Sequence, residues 1–165
     1  GRMREAAEAL DRAEALTQNE SVLYFARSVW HQYQSDIDTY AWEKACLMGL
    51  KLSPKDPFQS LHYVYLGMAR FMRSFDLSDP TVREAFETAA RFPESQYTST
   101  ILAALTAVAH EDLESARRYV AQTIAKYPEL TLNKWTSLDM PNMDRFVRET
   151  ATEHEALVEL GLPRE

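Results

Sequence analysis

Residues 104–128, ALTAVAHEDLESARRYVAQTIAKYP, decide how this chain folds. Ala104 and Ala107 set small side chains three apart on one helix, and Leu113, Ala116, Val120 and Thr123 keep helical spacing on a second before Pro128 stops it. A small residue at Ala104 lets the paired helices approach closely, and the bulkier Val120 fills the gap beside it. Two such helices cannot bury their apolar faces alone, so the stretch predicts a hairpin that recurs along the chain.

Outward from this unit the pattern does recur. Leu66-Gly67-Met68-Ala69, preceded by the aromatic Tyr63, sets another small residue where two helices would meet, and Ala6, Leu10 and Ala13 repeat the second-helix spacing at the amino end. These positions are similar to the small–x2–bulky first helix, the A-x3-F-x2-A second helix and the closing proline of a tetratricopeptide repeat, with Val120 and Thr123 standing where Phe and the last Ala would be. Unit ends at Gln18, Pro54, Pro93 and Pro128 lie 36, 39 and 35 residues apart, against about 34 in the ideal repeat. Apolar spacing predicts helices over 3–17, 20–34, 38–52, 57–73, 79–91, 95–109, 112–126 and 142–160. Pro54 and Pro57 flank one break, Asp79 caps and Pro80 opens the fifth helix, Pro93 and Pro128 follow helix ends, and Gly161-Leu162-Pro163 stops the last. Residues 3–17 read as a second helix without its first, as expected of a fragment of a longer polypeptide; an unpaired capping helix is the alternative. The expected fold is all-α: a right-handed alpha-alpha superhelix of helical hairpins over residues 1–130, about three and a half units with the first incomplete, and a C-terminal cap with its capping helix over 131–165.

Composition agrees with that class. The 165 residues carry 18 Lys plus Arg against 25 Asp plus Glu, a net charge of −7, so nucleic acid, which needs a basic face, is not an expected partner. An apolar content of 45% supports a core, and four glycines leave little material for hairpin turns or a phosphate-cradling loop. The longest apolar passage, 101–109, contains Thr106 and falls well short of the roughly 20 residues that span a bilayer, so no membrane partner is expected. A lone Cys46 forms no internal disulfide, and no leader is visible at the amino end, which makes the cytoplasm the expected compartment.

The junction Leu52-Ser53-Pro54-Lys55-Asp56-Pro57, the Leu66-Gly67-Met68-Ala69 helix, the Ala116 unit ending Tyr127-Pro128-Glu129-Leu130-Thr131, and the terminal Glu159-Leu160-Gly161-Leu162-Pro163 belong together in order and spacing. Over roughly two thirds of the chain they resemble the degenerate helical-repeat region at the carboxyl end of bacterial signalling proteins, among them class III nucleotide cyclases with appended tetratricopeptide repeats and winged-helix transcriptional regulators. The resemblance implies a module for protein–protein interaction or regulation, with catalysis or DNA binding in a separate upstream domain. Val22, Phe25 and Ala26 depart from the pattern, since the second unit has neither Trp nor Leu-Gly there.

Side chains that carry chemistry are present without their partners. His110-Glu111 and His154-Glu155 each begin a zinc-protease motif, but Glu114 and Val158 occupy the places of its second histidine. His31 with Asp36 and Asp38 reads better as a solvated helix end than as a metal set, and no Gly-x-Ser-x-Gly elbow positions a nucleophile. Cys46, on an apolar face with Ala45 and Gly49, reads as a packed core thiol. Neither a metal, nor a cofactor, nor catalysis by this piece is expected.

The expected working surface is the concave one, lined in such arrays by the first helices. With Ala26, Gly67 and Ala104 at the small positions, the groove takes Leu23, Arg27 and Trp30, then Leu61, Val64, Met68, Phe71 and Met72, then Ile101, Leu105 and Val108. Aliphatic side chains stand where chaperone-type repeats place carboxylate-gripping Lys and Asn, so no carboxylate clamp is expected. An apolar strip of this extent needs a cover. Three are open: the chain's own tail through Leu132, Trp135, Leu138, Phe146, Leu157 and Leu160; a second copy in a homodimer; or a partner helix. The alternative function is a sensor that closes over an apolar small molecule between Trp30, Met68 and Phe71. If the groove is open, Met68→Glu with Phe71→Glu is expected to abolish association and leave the helices intact.

Overall fold

The computed structural model describes residues 2–17, 20–55, 58–138 and 141–165. Among them all regular structure is helical: α1 (Arg2–Leu16), α2 (Ser21–Gln32), α3 (Thr39–Leu52), α4 (Gln59–Ser74), α5 (Pro80–Ala90), α6 (Tyr97–Ala109), α7 (Leu113–Lys126), α8 (Leu132–Thr136), α9 (Met143–Glu149) and α10 (Ala151–Glu159). The predicted unit end at Gln18 and the Asp56-Pro57 half of the junction lie outside the described residues.

Helix starts are set locally. The Asp38 carboxylate accepts from the backbone N–H of Tyr40 (3.1 Å) and Ala41 (2.9 Å), Asp79 from Thr81 (2.7 Å) just ahead of Pro80, and Asp112 from Ser115 (3.1 Å). Each bond satisfies a donor that a helix N-terminus leaves open. Those backbone bonds favour the charged form and hold the Asp79 and Asp112 carboxyls below the usual range. Asp79→Ala is expected to cost about 1 kcal/mol, read as a lower urea midpoint at unchanged slope.

From α2 to α7 each helix packs on the next, and α2, α4 and α6 also touch in sequence, which puts the first member of each pair in one row. Two glycines set the closeness of approach. Gly49 on α3 lies against the His62 ring of α4, and Gly67 on α4 lies against the Phe86 ring of α5; a Cβ at either position would fall inside the ring's contact distance. The main core runs from Val64 and Phe71 through Val82 and Phe86 to Ile101, Leu102 and Leu105, and continues into Trp135, Phe146, Leu157 and Leu162. The segment from residue 131 onward is therefore part of the same core as α4–α7. A smaller cluster of Trp42, Cys46, Leu66, Ala69 and Ala85 holds α3 to α4 and α5. At the other end α1 packs on α2 and buries none of its residues fully.

The carboxyl end differs from its expected form. The helix predicted over 142–160 is divided at Thr150, whose backbone sits at φ −118°, ψ 26° and whose hydroxyl donates back to the Phe146 carbonyl at 2.7 Å. A threonine hydroxyl that bonds the backbone locally competes with helix continuation. The short α8 has no counterpart in the prediction because five residues span too little of the helical period to register as a pattern. It is started by Thr131, which accepts from the Lys134 N–H at 3.2 Å.

Candidate functional site

Two apolar stripes lie side by side on α4 and α2. On α4 they are Phe58, just before the first turn, then Leu61, Tyr65 and Met68; on α2, Val22, Phe25 and Val29 follow the same helical spacing and end at Gln32. The Phe25 ring joins them, stacked on Phe58 at 5.1 Å between centroids and tilted against Tyr65 at 5.8 Å. Val22 is 56% exposed and Phe58 43%, so this end of the groove is open to solvent.

The other end is covered by the chain itself. Phe146 of α9 meets Phe71 edge-on at 5.2 Å, Trp135 of α8 stands edge-on to both Phe146 and Tyr97, and the Arg145 guanidinium lies 3.6 Å from the centre of the Phe75 ring. The Trp135 indole N–H donates to Nε2 of His154 at 2.8 Å. That nitrogen must then be unprotonated, so Nδ1 carries the hydrogen and donates to the Thr150 carbonyl at 2.8 Å. The chain end closes the arrangement, with the N–H groups of Leu132 and Asn133 donating to the carbonyls of Pro163 and Arg164 at 2.7 and 3.1 Å.

His154, 3% exposed, is held neutral because burial pushes its pKa below the ordinary histidine value. His31, beside Arg27, is lowered by burial and by that positive charge. For a histidine depressed in the fold, the unfolded chain takes up the proton first, so stability is complete above about pH 6.5 and falls as pH drops below it. The urea midpoint is expected to be lower at pH 5.5 than at pH 7.5, and His154→Phe to flatten part of that slope. The lowered carboxyls Asp79 and Asp112 act in a separate window, below about pH 4.

The residues predicted to line the groove divide into three sets. Leu61, Val64 and Met68 line a common cavity. Phe71, Ile101 and Leu105 are at most 1% exposed and lie beneath the tail as core, with Met72 and Val108 half-buried against them; here the chain's own segment is the cover. Leu23 is buried, while Arg27 and Trp30 face α1: the Arg27 guanidinium pairs with Asp11 (2.8 Å) and Glu14 (2.9 Å), and the Trp30 indole N–H donates to the Met3 carbonyl (3.2 Å). The α2 face that meets α4 is thus the one carrying Phe25, not the one carrying Arg27. Its signal in the sequence is the 3–4–3 spacing of Val22, Phe25, Val29 and Gln32. Cys46 is fully buried with its sulfur 3.3 Å from the Ser28 hydroxyl, and burial pushes the thiol up to about 12, which leaves it protonated and unreactive. No group of three or more potential metal ligands occurs among the described residues, and no helix of the described residues is long and apolar enough to cross a membrane.

Where the groove passes under the tail it ends in a cavity of about 320 Å³ between α4, α6, the end of α2 and the side chains of Trp135, Leu138, Met143 and Phe146. Its walls are apolar and aromatic, with Gln32, Gln96 and Thr98 as polar members and no charged side chain among the described residues. Compared with protein-family models, with curated proteins and with solved structures, the chain finds no match.

Proposed function

We propose that this chain is a protein-interaction module of a bacterial signal-transduction or transcription-regulatory protein, a right-handed tetratricopeptide-like stack that takes up an apolar helix on its α2–α4 face. The observation that carries the reading is the open pair of stripes, with Val22 and Phe58 at its solvent end and Phe25 bridging them. A groove between two helices, apolar at every third or fourth position, matches an amphipathic helix that inserts anchors at the same spacing. Met68 adds a side chain that adapts its shape to the anchor beside it. The net charge of −7 sets two copies of the chain against each other at long range, so the partner is another polypeptide with a basic rim around its apolar face. The module does no chemistry of its own in this reading; it recognises by shape, in the cytoplasm.

A photo-crosslinking amino acid at position 22 or 58, introduced into the protein in its native cell, tests this directly. A discrete cross-linked protein at both positions, absent with the same label at exposed Arg117 and abolished by Phe25→Glu, is the expected result. A ladder of the chain with itself, matched by a concentration-dependent mass above about 19.0 kDa in light scattering, replaces the partner by a homodimer. No cross-link at either position overturns the reading.

A further inference from the structure

We propose that the cavity at the covered end of the groove is a binding site for a small neutral aromatic molecule carrying an amide-like group that pairs with Gln32. This goes beyond helix recognition on the open end: the cavity shares Leu61, Tyr65 and Met68 with the groove, but its remaining walls come from α6, the end of α2 and the tail. The cavity, about 320 Å³, is about twice the size of an apolar cavity that takes up benzene, and falls at the lower end of the range for small-molecule sites. Room for one or two fused rings is therefore present, and Tyr65, Tyr97, Trp135 and Phe146 supply ring faces and edges to receive them.

Gln32 selects the chemistry. It is 9% exposed at the end of α2 and lines the cavity. Its amide offers two donors and an acceptor to a molecule in the cavity, so a ligand that presents a carbonyl and an N–H gains hydrogen bonds that a hydrocarbon of the same shape does not. The described lining residues are uncharged and mostly apolar, which disfavours a carboxylate or an ammonium beside them, since either would be desolvated against apolar walls. The apolar ligand site expected between Trp30, Met68 and Phe71 thus moves: Met68 lines the cavity, Phe71 is core and Trp30 faces α1.

The test uses 2-naphthamide, with naphthalene and 2-naphthoate as its apolar and charged counterparts, each titrated into the whole chain by calorimetry and by thermal shift. Saturable one-to-one binding is expected in the order amide, then hydrocarbon, then carboxylate. Gln32→Leu is expected to weaken the amide about tenfold and leave naphthalene unchanged. Met68→Trp fills the cavity and abolishes binding of all three, and Leu61→Trp does the same if Met68→Trp fails to fold. Val22→Glu, at the open end, leaves the titrations as they were, so failure of the helix-binding reading is distinguishable from failure of this one. The proposal is overturned if the unaltered chain shows no saturable binding at the solubility limit, if the cavity-filling variants fold and still bind, or if the carboxylate binds as well as the amide.

Discussion

Phe71→Ala is expected to lower the unfolding free energy by about 3–5 kcal/mol, the range for removing a phenyl ring from a closed core. Phe71 is fully buried on α4, edge-on to Phe75 at 5.4 Å and to Phe146 at 5.2 Å. It is the point where the helical pairs and the carboxyl-terminal segment share one core, so deleting the ring leaves a cavity that neither side can close without moving the other. Urea denaturation measures the loss, with Met68→Ala as the comparison: Met68 is half-buried at the cavity wall and costs less. The same geometry reverses what an open groove implies for Met68→Glu with Phe71→Glu. A carboxylate at position 71 would be buried without a partner, so the pair of changes unfolds the chain and does not merely silence a surface. A double variant with native circular dichroism and an unchanged midpoint would take Phe71 out of the core.

Gly67→Leu is expected at or above the upper end of the roughly 1–3 kcal/mol that overpacking costs. Even the first carbon of a new side chain would overlap the Phe86 ring, and Phe86 is itself fully buried, with Val82 and Ala89 of its own helix in the same cluster. The ring is held on all sides, so the α4–α5 pair must separate to admit the leucine. Phe86→Leu in the same chain is expected to recover part of the loss, because the contact is with one ring and not with backbone. Thermal unfolding of the two single variants and the double variant measures the coupling. If Gly67→Leu melts with the unaltered chain, the close approach of α4 and α5 at this residue is wrong.

Helices α2 to α7 were legible along the chain because their causes are local. Asp38, Asp79 and Asp112 stand where caps are needed, Pro80 opens a first turn, and the 3.6-residue period runs through each segment. The small residue at Gly67 pointed correctly to a close helix contact, since only a missing side chain permits one. Gly49 makes the same kind of contact with His62, but its surroundings carry no repeat signature, and nothing local marks it as a crossing point.

Which face of a helix meets which neighbour is not a local property. On α2 the stripes Val22-Phe25-Val29 and Leu23-Arg27-Trp30 have equal claim to the groove by spacing alone. The first faces α4 because Phe25 finds Phe58 and Tyr65 there, and the second turns to α1 because Asp11 and Glu14 hold Arg27. The fate of the groove was likewise open, since its apolar residues read the same whether covered by tail, twin or partner. What covers Phe71, Ile101 and Leu105 is Trp135, Phe146 and Leu157, brought back across α6 and held by the Trp135–His154 bond. The sequence by itself therefore determined the helical class, the pairing and the ends of most helices, because period, caps and small residues act within a few positions of one another. Tertiary structure alone decided the facing of α2, the burial of Phe71, Ile101 and Leu105 under the tail and the cavity left beside Gln32, because those depend on residues 13 to more than 70 positions apart competing for the same space.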